Sequence, residues 1–325
     1  MQNTSKIVWL LYGNGVPSWY ACTPIPSDPI QSKSLGPRLF EEIQKAGFTI
    51  HFTQDASEIR GDMFALISWD AAAPILQNLA PYSKENRDRC FLLAFEPPMI
   101  CPAYYSEETK KRFGKIFVWF DDLVDNVNFY KIHCPFNLWG LGMATNLPPF
   151  SEKKLCCLMN GNKQWGNDPN ELNSERVRAI QALTPTGDFD LYGSGWHGIP
   201  SWKGVAPADA SSVFKQYKFS IRYENYGNRP GYVGDKIFPA LLGRTVPVYL
   251  GATNIEEYVP KECFVDKREF SSYEDLYWFM KSMDEKRHEE YLAAGLAYMQ
   301  SPKKELFTTE DVVQRVMKQL SALPR

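Results

Sequence analysis

The fold is decided by residues 217–251, which read YKFSIRYENYGNRPGYVGDKIFPALLGRTVPVYLG. Phe219–Tyr223 is a short run rich in aromatic and β-branched residues, and it predicts a strand. A polar loop follows, then a predicted helix over Lys236–Leu242 and a second apolar strand over Val246–Leu250 that Gly251 closes. Two strands joined through a helix usually run parallel in one sheet, so this stretch predicts an α/β domain.

The same alternation of strands and helices extends over the rest of the chain. In the second half it predicts strands at Lys154–Met159 and Phe189–Tyr192, with a helix at Ser174–Ala182 between them. The first half is predicted to contain a helix at Leu39–Ala46 and the strands Lys6–Tyr12, Phe48–Phe52, Met63–Ser68, Cys90–Phe95 and Lys115–Phe120. We therefore expect an α/β protein with two doubly wound, Rossmann-like domains in tandem.

The domain boundary is expected near Pro148–Ser151, where Pro, Ser and charged residues interrupt the apolar pattern. This divides the chain into an N-terminal domain, residues 1–150, and a second domain, residues 151–302. Residues 303–325 are predicted to hold a surface helix with one apolar stripe, which packs back on the N-terminal domain. Because ligands of open α/β sheets bind beyond the carboxyl ends of the strands, we expect a ligand between the domains.

Composition and charge exclude several classes of protein. The 325 residues are 44% hydrophobic and 23% charged, which is typical of a globular chain. Lys and Arg total 36 against 38 Asp and Glu, so the net charge of −2 offers no general attraction for nucleic acid. The seven scattered cysteines include no C-x-x-C pair, which suits a reducing compartment.

The start of the chain predicts neither a membrane anchor nor a secretion signal. The apolar run Ile7–Tyr12 is far shorter than the roughly 20 residues of a membrane span, and a basic start with a cleavage site is missing. We therefore predict a cytoplasmic protein without a transmembrane segment. Peripheral contact with a membrane stays open.

Asp235 and Lys236 open the helix of the 217–251 stretch. A helix N-terminus presents unpaired backbone N–H groups and a partial charge of about half a unit, which stabilises phosphate. Lys236 adds a full positive charge. Taken alone, the pair has a simpler interpretation, in which Asp235 only caps the helix and Lys236 is solvated.

The order of motifs in this stretch resembles the donor-binding region of the α-1,3-fucosyltransferases. That family has Lys-Phe, Phe-Glu-Asn, Tyr-(Ile/Val)-Thr-Glu-Lys and (Val/Ile)-Pro-(Val/Ile) in this order, followed by a Gly. The counterparts here are Lys218-Phe219, Tyr223-Glu224-Asn225, Tyr232-Val233-Gly234-Asp235-Lys236, Val246-Pro247-Val248 and Gly251. Two differences are that Gly234-Asp235 replaces Thr-Glu and that the loop after Asn225 is one residue longer. The resemblance implies a donor site formed by Lys218, Glu224, Asn225, Tyr232, Asp235 and Lys236.

Two residues upstream extend the resemblance. Asn160 follows a predicted strand as Ser-Asn ends the corresponding strand of the family, and Arg176 lies on a helix that matches the family's Arg-bearing helix. The resemblance assigns Arg176 to the donor pyrophosphate, a role that suits a guanidinium able to bind two oxygens at once. Without that context, Arg176 and Arg178 are typical of a solvated helix face.

Glu96 is the candidate catalytic base in the N-terminal half. It stands in Phe95-Glu96-Pro97-Pro98 after a predicted strand, as Glu-Ser-Pro follows the corresponding strand of the family. A carboxylate there could deprotonate an acceptor hydroxyl as it attacks the sugar carbon. The alternative is a strand-end Glu in solvent or in a salt bridge.

Two other motifs are interpreted as structural. Asp188-Phe189-Asp190 has the D-x-D form of metal-dependent glycosyltransferases, but it begins a strand instead of following one, so we predict no metal site. Gly13-Asn14-Gly15 lacks the third Gly of a dinucleotide loop and is predicted to be a turn on the acceptor side.

The resemblance implies a GT-B-type fold, in which domain 1–150 takes the acceptor and domain 151–302 takes the donor across a central cleft. The expected activity is inverting, metal-independent transfer of L-fucose from GDP-fucose to a hydroxyl of a glycan acceptor, with no cofactor. One alternative keeps the fold and chemistry with another GDP- or UDP-sugar. Another is a catalytically silent nucleotide- or carbohydrate-binding protein. The sequence does not identify the acceptor or the oligomeric state.

Overall fold

The structure is a computed structural model that describes residues 6–11, 34–59, 63–136, 142–163, 168–205, 207 and 209–324. The predicted turn at Gly13–Gly15 lies outside these residues. The chain divides into two compact units, unit 1 with Met1–Trp139 and Glu305–Arg325, and unit 2 with Gly140–Lys304. Within the described part of the chain, no helix combines the length and the apolar character that a bilayer span requires.

Unit 1 is built on a parallel sheet. Its six strands are β1 (Ile7–Leu11), β2 (Thr49–Thr53), β3 (Ala65–Ser68), β4 (Cys90–Leu93), β5 (Lys115–Val118) and β6 (Phe129–Lys131). Their order is β2-β1-β3-β4-β5-β6, and every neighbouring pair is parallel. The central strands β3 and β4 are buried at every position, as parallel strands covered on both faces are. The helices of this part are α1 (Leu35–Lys45), α2 (Ala73–Asn86) and α3 (Glu107–Arg112).

Unit 2 repeats the plan with a second parallel sheet. Its strands are β7 (Lys154–Met159), β8 (Phe189–Tyr192), β9 (Tyr217–Tyr223), β10 (Val246–Leu250) and β11 (Val265–Asp266), in the order β11-β10-β9-β7-β8. Its helices are α4 (Asn173–Leu183), α5 (Ala210–Phe214), α6 (Ile237–Leu242), α7 (Ile255–Tyr258), α8 (Tyr273–Ser282) and α9 (Glu285–Gln300). The prediction of two parallel α/β sheets is confirmed. The sequence did not predict β6 and β11, since three and two residues are too few for a periodic pattern.

The topology of the second sheet locates its ligand edge. The chain passes from β7 outward to β8 and then to β9 on the other side of β7, so the strand order reverses between β7 and β9. In doubly wound sheets the crevice beyond the carboxyl ends of the strands at such a reversal is the usual ligand site. Asn160 follows β7 and Glu224 follows β9, so both lie at this edge.

The last helix, α10 (Thr309–Ser321), belongs to unit 1. It buries an apolar stripe of Val312, Val313, Val316 and Leu320. Arg38 on α1 forms an ion pair with Glu310 at 2.7 Å. Just before the helix, the backbone N–H of Phe136 donates to the carbonyl oxygen of Phe307 at 2.9 Å.

Candidate functional site

A buried carboxylate lies at the carboxyl end of β9. Glu224 is 1% exposed, and its Oε1 accepts a hydrogen bond of 2.9 Å from the backbone N–H of Gly234. The hydroxyl of Tyr249, near the end of β10, donates to the same oxygen at 3.4 Å and accepts from the N–H of Ala252 at 3.2 Å. Glu224 therefore connects the loop before α6 to the end of the neighbouring strand.

The backbone packs closely around this carboxylate. A Cβ atom added at Gly234 would lie 2.5 Å from Oε2 of Glu224, and one added at Gly251 would lie 2.5 Å from its Cγ. Both distances are too short for a real contact, so each position requires glycine. The Gly that replaces the family's Thr at position 234 is thus explained sterically, because this chain brings Glu224 against the loop backbone.

Burial also changes the acidity of Glu224. Desolvation raises the pKa of its carboxyl to about 7. The charge of Lys236 opposes that shift, and the charge of Asp235 adds to it. The group therefore titrates near neutral pH, and its charge depends on the two residues that the sequence assigned to the donor.

Asn225 and Tyr232 face each other across the loop. The Tyr232 hydroxyl donates to Oδ1 of Asn225 at 2.7 Å, and the Tyr232 ring packs edge-on against Tyr226 at 5.7 Å between centroids. The carbonyl oxygen of Asn225 accepts from the N–H of Leu172, the residue before α4, at 2.9 Å. The loop is thereby bound to the helix that carries Arg176.

Asp235 and Lys236 form an ion pair of 2.6 Å in which both side chains are partly exposed. Lys236 is the residue before α6, a helix of six residues, all of them buried. Its carbonyl oxygen accepts a hydrogen bond from Nε of Arg222, which is buried in β9. Sequence reasoning missed Arg222, because the alternating run Phe219–Tyr223 puts it on the face opposite the apolar residues, where a charged side chain is normally exposed.

Arg176 is buried, with 4% of its surface exposed. Its Nε and one terminal nitrogen donate to the carbonyl oxygen of Tyr223 at 3.2 and 2.6 Å, and the other terminal nitrogen donates to Oδ1 of Asn173 at 2.7 Å. Desolvation lowers the pKa of the guanidinium to about 10, against the raising effect of Glu224. Arg176 thus anchors the end of β9, directly before Glu224.

Asn160 lies on the same edge at the end of β7. Its carbonyl oxygen accepts from the indole N–H of Trp196 at 2.6 Å, and its side-chain amide donates to the carbonyl oxygen of Gly161 at 2.7 Å. A Cβ atom added at Gly193 would lie 2.0 Å from that Asn160 carbonyl oxygen. Gly193, with φ of 131°, is therefore required for the approach of β7 to β8.

Lys218 does not lie with the other predicted donor residues. It is the second residue of β9, whereas Glu224 follows the last, so the two are separated along the strand by about 20 Å at roughly 3.3 Å per residue. The Lys218 ammonium lies over the ring of Phe150 at 3.6 Å from the centroid. The donor residues that the sequence predicted therefore lie at both edges of the sheet.

Glu96 belongs to unit 1, three residues beyond the end of β4. It is partly buried, and its carbonyl oxygen accepts from the hydroxyl of Tyr105 at 2.8 Å. This is the carboxyl edge of the first sheet, where the sequence predicted a base. Its role as a base stays a prediction.

The two carboxylates of the D-x-D motif are engaged in ion pairs with lysines. Asp188 accepts from Lys281 at 2.7 Å, and Asp190 accepts from Lys154 at 2.8 Å and from the Tyr217 hydroxyl at 2.7 Å. Among the residues that the structure describes, no group of His, Cys, Asp and Glu has the arrangement of a metal site. These contacts suit the interpretation of D-x-D as structural.

Comparison with known proteins gives matches of three kinds. Residues 159–302 match the family "Glycosyltransferase family 10 (fucosyltransferase) C-term". A human 3-galactosyl-N-acetylglucosaminide 4-alpha-L-fucosyltransferase is 27% identical over 247 residues, which are 75% of this chain and 63% of that protein. A gorilla 4-galactosyl-N-acetylglucosaminide 3-alpha-L-fucosyltransferase is 32% identical over 124 residues, which are 37% of this chain and 32% of that protein. The chain thus spans less than two thirds of the length of these relatives.

Solved structures share the fold over nearly the whole chain. An alpha1,3-fucosyltransferase has a TM-score of 0.59 at 11% identity and covers 100% of this chain and 93% of its own. Anabaena HepE in complex with UDP has a TM-score of 0.58 at 10% identity and covers 97% of this chain and 100% of its own. These likenesses confirm the GT-B class of fold.

The family match and the geometry concern the same part of the chain. The family match begins one residue before Asn160 and extends past Gly251, so it includes every predicted donor residue of unit 2. The curated relatives named above are fucosyltransferases. Residues 159–302 are therefore similar to glycosyltransferase family 10, the fucosyltransferase family, as the motifs of the sequence implied.

Proposed function

We propose that this protein transfers L-fucose from GDP-fucose to a hydroxyl group of a glycan acceptor, with inversion at the sugar carbon and without a metal ion. The observation that carries the proposal is the Glu224 network at the β7/β9 switch point, within a segment that is similar to the fucosyltransferase family. A solved α1,3-fucosyltransferase with GDP-fucose shares the fold at a TM-score of 0.56 and 14% identity.

In this mechanism unit 2 holds the donor. Lys236 and the backbone N–H groups at the start of α6 face the diphosphate, whose negative charge increases as the sugar leaves. Asn225, Tyr232 and Asp235 orient the nucleoside and the sugar. Arg176 contributes its positive charge from beneath the end of β9, where it also fixes the backbone that leads into Glu224.

The chemical step requires one base. Glu96 takes the proton of the acceptor hydroxyl while that oxygen forms a bond to the sugar carbon from the face opposite the leaving group. The bond between the sugar carbon and the phosphate oxygen breaks at the same time, and GDP leaves with the electron pair. One proton moves to Glu96, and no cofactor takes part.

A donor panel read by mass spectrometry tests the proposal. The full chain is incubated with GDP-fucose, GDP-mannose, UDP-glucose or UDP-galactose and a mixture of glycan acceptors, with and without EDTA. We expect a mass gain of one deoxyhexose with GDP-fucose alone, unchanged by EDTA. Transfer from another donor would support the alternative of a different GDP- or UDP-sugar, and nucleotide binding without transfer would support a silent binding protein. Loss of transfer in EDTA would contradict the metal-free scheme.

We also propose a cytoplasmic location. The support is compositional, since an odd number of scattered cysteines suits a reducing compartment. The location can be tested by treating intact cells and lysates with a membrane-impermeant thiol reagent and comparing the labelling of this protein. A cytoplasmic protein reacts only after lysis.

A further inference from the structure

Basic side chains converge at the amino ends of three neighbouring strands of unit 2, on the edge opposite Glu224. Lys153 directly precedes β7, Lys218 is the second residue of β9, and Arg244 lies two residues before β10. The registers of β7 and β10 on β9 bring these strand starts level with one another. His288 on α9 completes the group, with its Nε2 3.1 Å from the carbonyl oxygen of Lys218. These four residues are called the amino-edge cluster below.

Lys153 carries a buried positive charge without a carboxylate. It is 7% exposed, and its Nζ donates to the carbonyl oxygen of Arg244 at 3.0 Å. Among the described residues, neither Lys153 nor Arg244 forms an ion pair. Desolvation, with a further contribution from the charge of Arg244, lowers the pKa of Lys153 to about 8. Burying such a charge is unfavourable unless a counter-charge compensates it.

Two side-chain polar atoms of Arg244, whose carbonyl oxygen Lys153 contacts, and of the next residue are buried without any hydrogen-bond partner. They are Nε of Arg244 and the hydroxyl oxygen of Thr245, whose side chain is 1% exposed. Buried donors are almost always satisfied, so two neighbouring exceptions indicate a missing acceptor. Arg244, the residue after the C-cap Gly243 of α6, also has a φ of 53°, a left-handed conformation that Gly or Asn usually adopts there.

The other members of the cluster are compensated differently. The ammonium of Lys218 lies on the Phe150 ring. Burial and the charge of Lys281 lower the pKa of Lys218, and the charge of Glu285 only partly opposes that shift. Burial lowers the pKa of His288 to about 4, and Lys153 and Lys218 add to that shift. His288 is therefore neutral at pH 7, and the positive charges that lack a counter-charge are those of Lys153 and Arg244.

We propose that Lys153, Arg244 and the Thr245 hydroxyl form a second anion site, which binds a phosphate group at the amino edge of the unit 2 sheet. A phosphate accepts hydrogen bonds from a guanidinium, an ammonium and a hydroxyl at once, which matches the three donors present. The phosphate comes either free in solution or as the headgroup of an acidic lipid. The site is independent of the donor site, because it lies at the other end of β9.

The first experiment titrates inorganic phosphate against potassium chloride at matched ionic strength and follows the thermal stability of the full chain. We compare the wild type with Lys153→Met, Arg244→Gln and the charge-preserving Lys153→Arg. Lys286→Met, an exposed lysine on α9, is the matched control, and Lys236→Met reports on the opposite edge. Each neutral variant is expected to weaken the phosphate-specific stabilisation about tenfold in apparent affinity, since it removes a charge-assisted hydrogen bond. Lys153→Arg and Lys286→Met should keep it.

The pH dependence of phosphate affinity and the binding to lipid vesicles give two more tests. Because a bound phosphate favours protonated Lys153, affinity should fall as the pH rises through the pKa of about 8 in the wild type, and less so in Lys153→Arg. Sedimentation with phosphatidylglycerol or phosphatidylcholine vesicles identifies the source. If the wild type is retained on the acidic vesicles and Lys153→Met and Arg244→Gln are not, the phosphate is that of a lipid headgroup. If only free phosphate has an effect, the ligand is phosphate in solution.

Three results would overturn the proposal. One is equal stabilisation of the wild type by phosphate and chloride together with no retention on acidic vesicles. Another is a phosphate effect that Lys236→Met removes and the Lys153 and Arg244 variants keep, which would place the anion at the donor edge. A third is equal loss in Lys286→Met, which would show a nonspecific charge effect. None of these results bears on donor identity, so the proposed fucosyl transfer stands or fails separately.

Discussion

Replacing Glu224 with Gln should change the pH dependence of stability in a way that can be calculated. The amide keeps an oxygen that accepts from the Gly234 N–H and removes the titration. Because burial raises the folded pKa from 4.5 to about 7, the protonated carboxyl stabilises the folded state below pH 4.5. That contribution is lost as the pH rises through the folded pKa.

The size of the effect follows from the shift. About 2.5 pH units at roughly 1.4 kcal/mol each give a full difference of about 3–4 kcal/mol. Of this, about 2–3 kcal/mol develops between roughly pH 5 and pH 8, since part of the change lies below that range. The free energy of unfolding of Glu224→Gln relative to the wild type should therefore rise by about 2–3 kcal/mol across that interval.

Urea unfolding of both proteins over this pH range, followed by tryptophan fluorescence, measures the difference. Taking the variant minus the wild type cancels the other titrating groups, since they are common to both. Glu289→Gln, a substitution of an exposed glutamate on α9, serves as the control and should give a flat difference. A flat difference for Glu224→Gln, or one that falls with pH, would refute the raised pKa and with it the account of a desolvated carboxyl beneath the donor loop.

Three further predictions concern the same machinery. Gly234→Ala should destabilise the protein by about 1–3 kcal/mol and weaken nucleotide binding, because its methyl group would overlap the Glu224 carboxylate. Calorimetry would measure both effects. The control Gly142→Ala should be neutral, because its added methyl group meets nothing within 4 Å. Glu96→Gln should lower the rate of fucosyl transfer about 100-fold or more while nucleotide affinity in a titration stays unchanged, and retained transfer would dismiss Glu96 as the base. Arg176→Met should lower the free energy of unfolding by about 1–3 kcal/mol, because it leaves the carbonyl at the end of β9 unpaired, and a neutral result in urea unfolding would show that the bond is dispensable.

Sequence patterns predicted four of the five strands of the second unit, because each of the four is a local signal. Lys154–Met159 and Phe189–Tyr192 have the bounds that the structure gives to β7 and β8. Both are short apolar runs bounded by turn residues, so no distant contact is needed to recognise them. The position of Asn160 and Glu224 beyond their strands followed from the same patterns, since parallel strands place their carboxyl ends at one edge.

Motif order was less informative about distance. Lys218 and Glu224 stand in one stretch that resembles a donor motif, yet an extended strand separates them and puts Lys218 among the basic residues of the other edge. Sequence proximity says little about a shared site when the intervening residues form a strand, because each residue adds about 3.3 Å.

The sequence by itself determined the α/β class, four of the five strands of unit 2 and the resemblance of residues 217–251 to the fucosyltransferases, since these depend on periodicity and motif order along the chain. Only the tertiary structure decided that Gly234 must lack a side chain, that Arg222 supports the start of α6 and that the buried ammonium of Lys153 contacts the carbonyl oxygen of Arg244. The physical reason is the same in each case. Steric exclusion, burial and unmet hydrogen bonds arise between residues that are distant along the chain, and a local pattern carries no record of them.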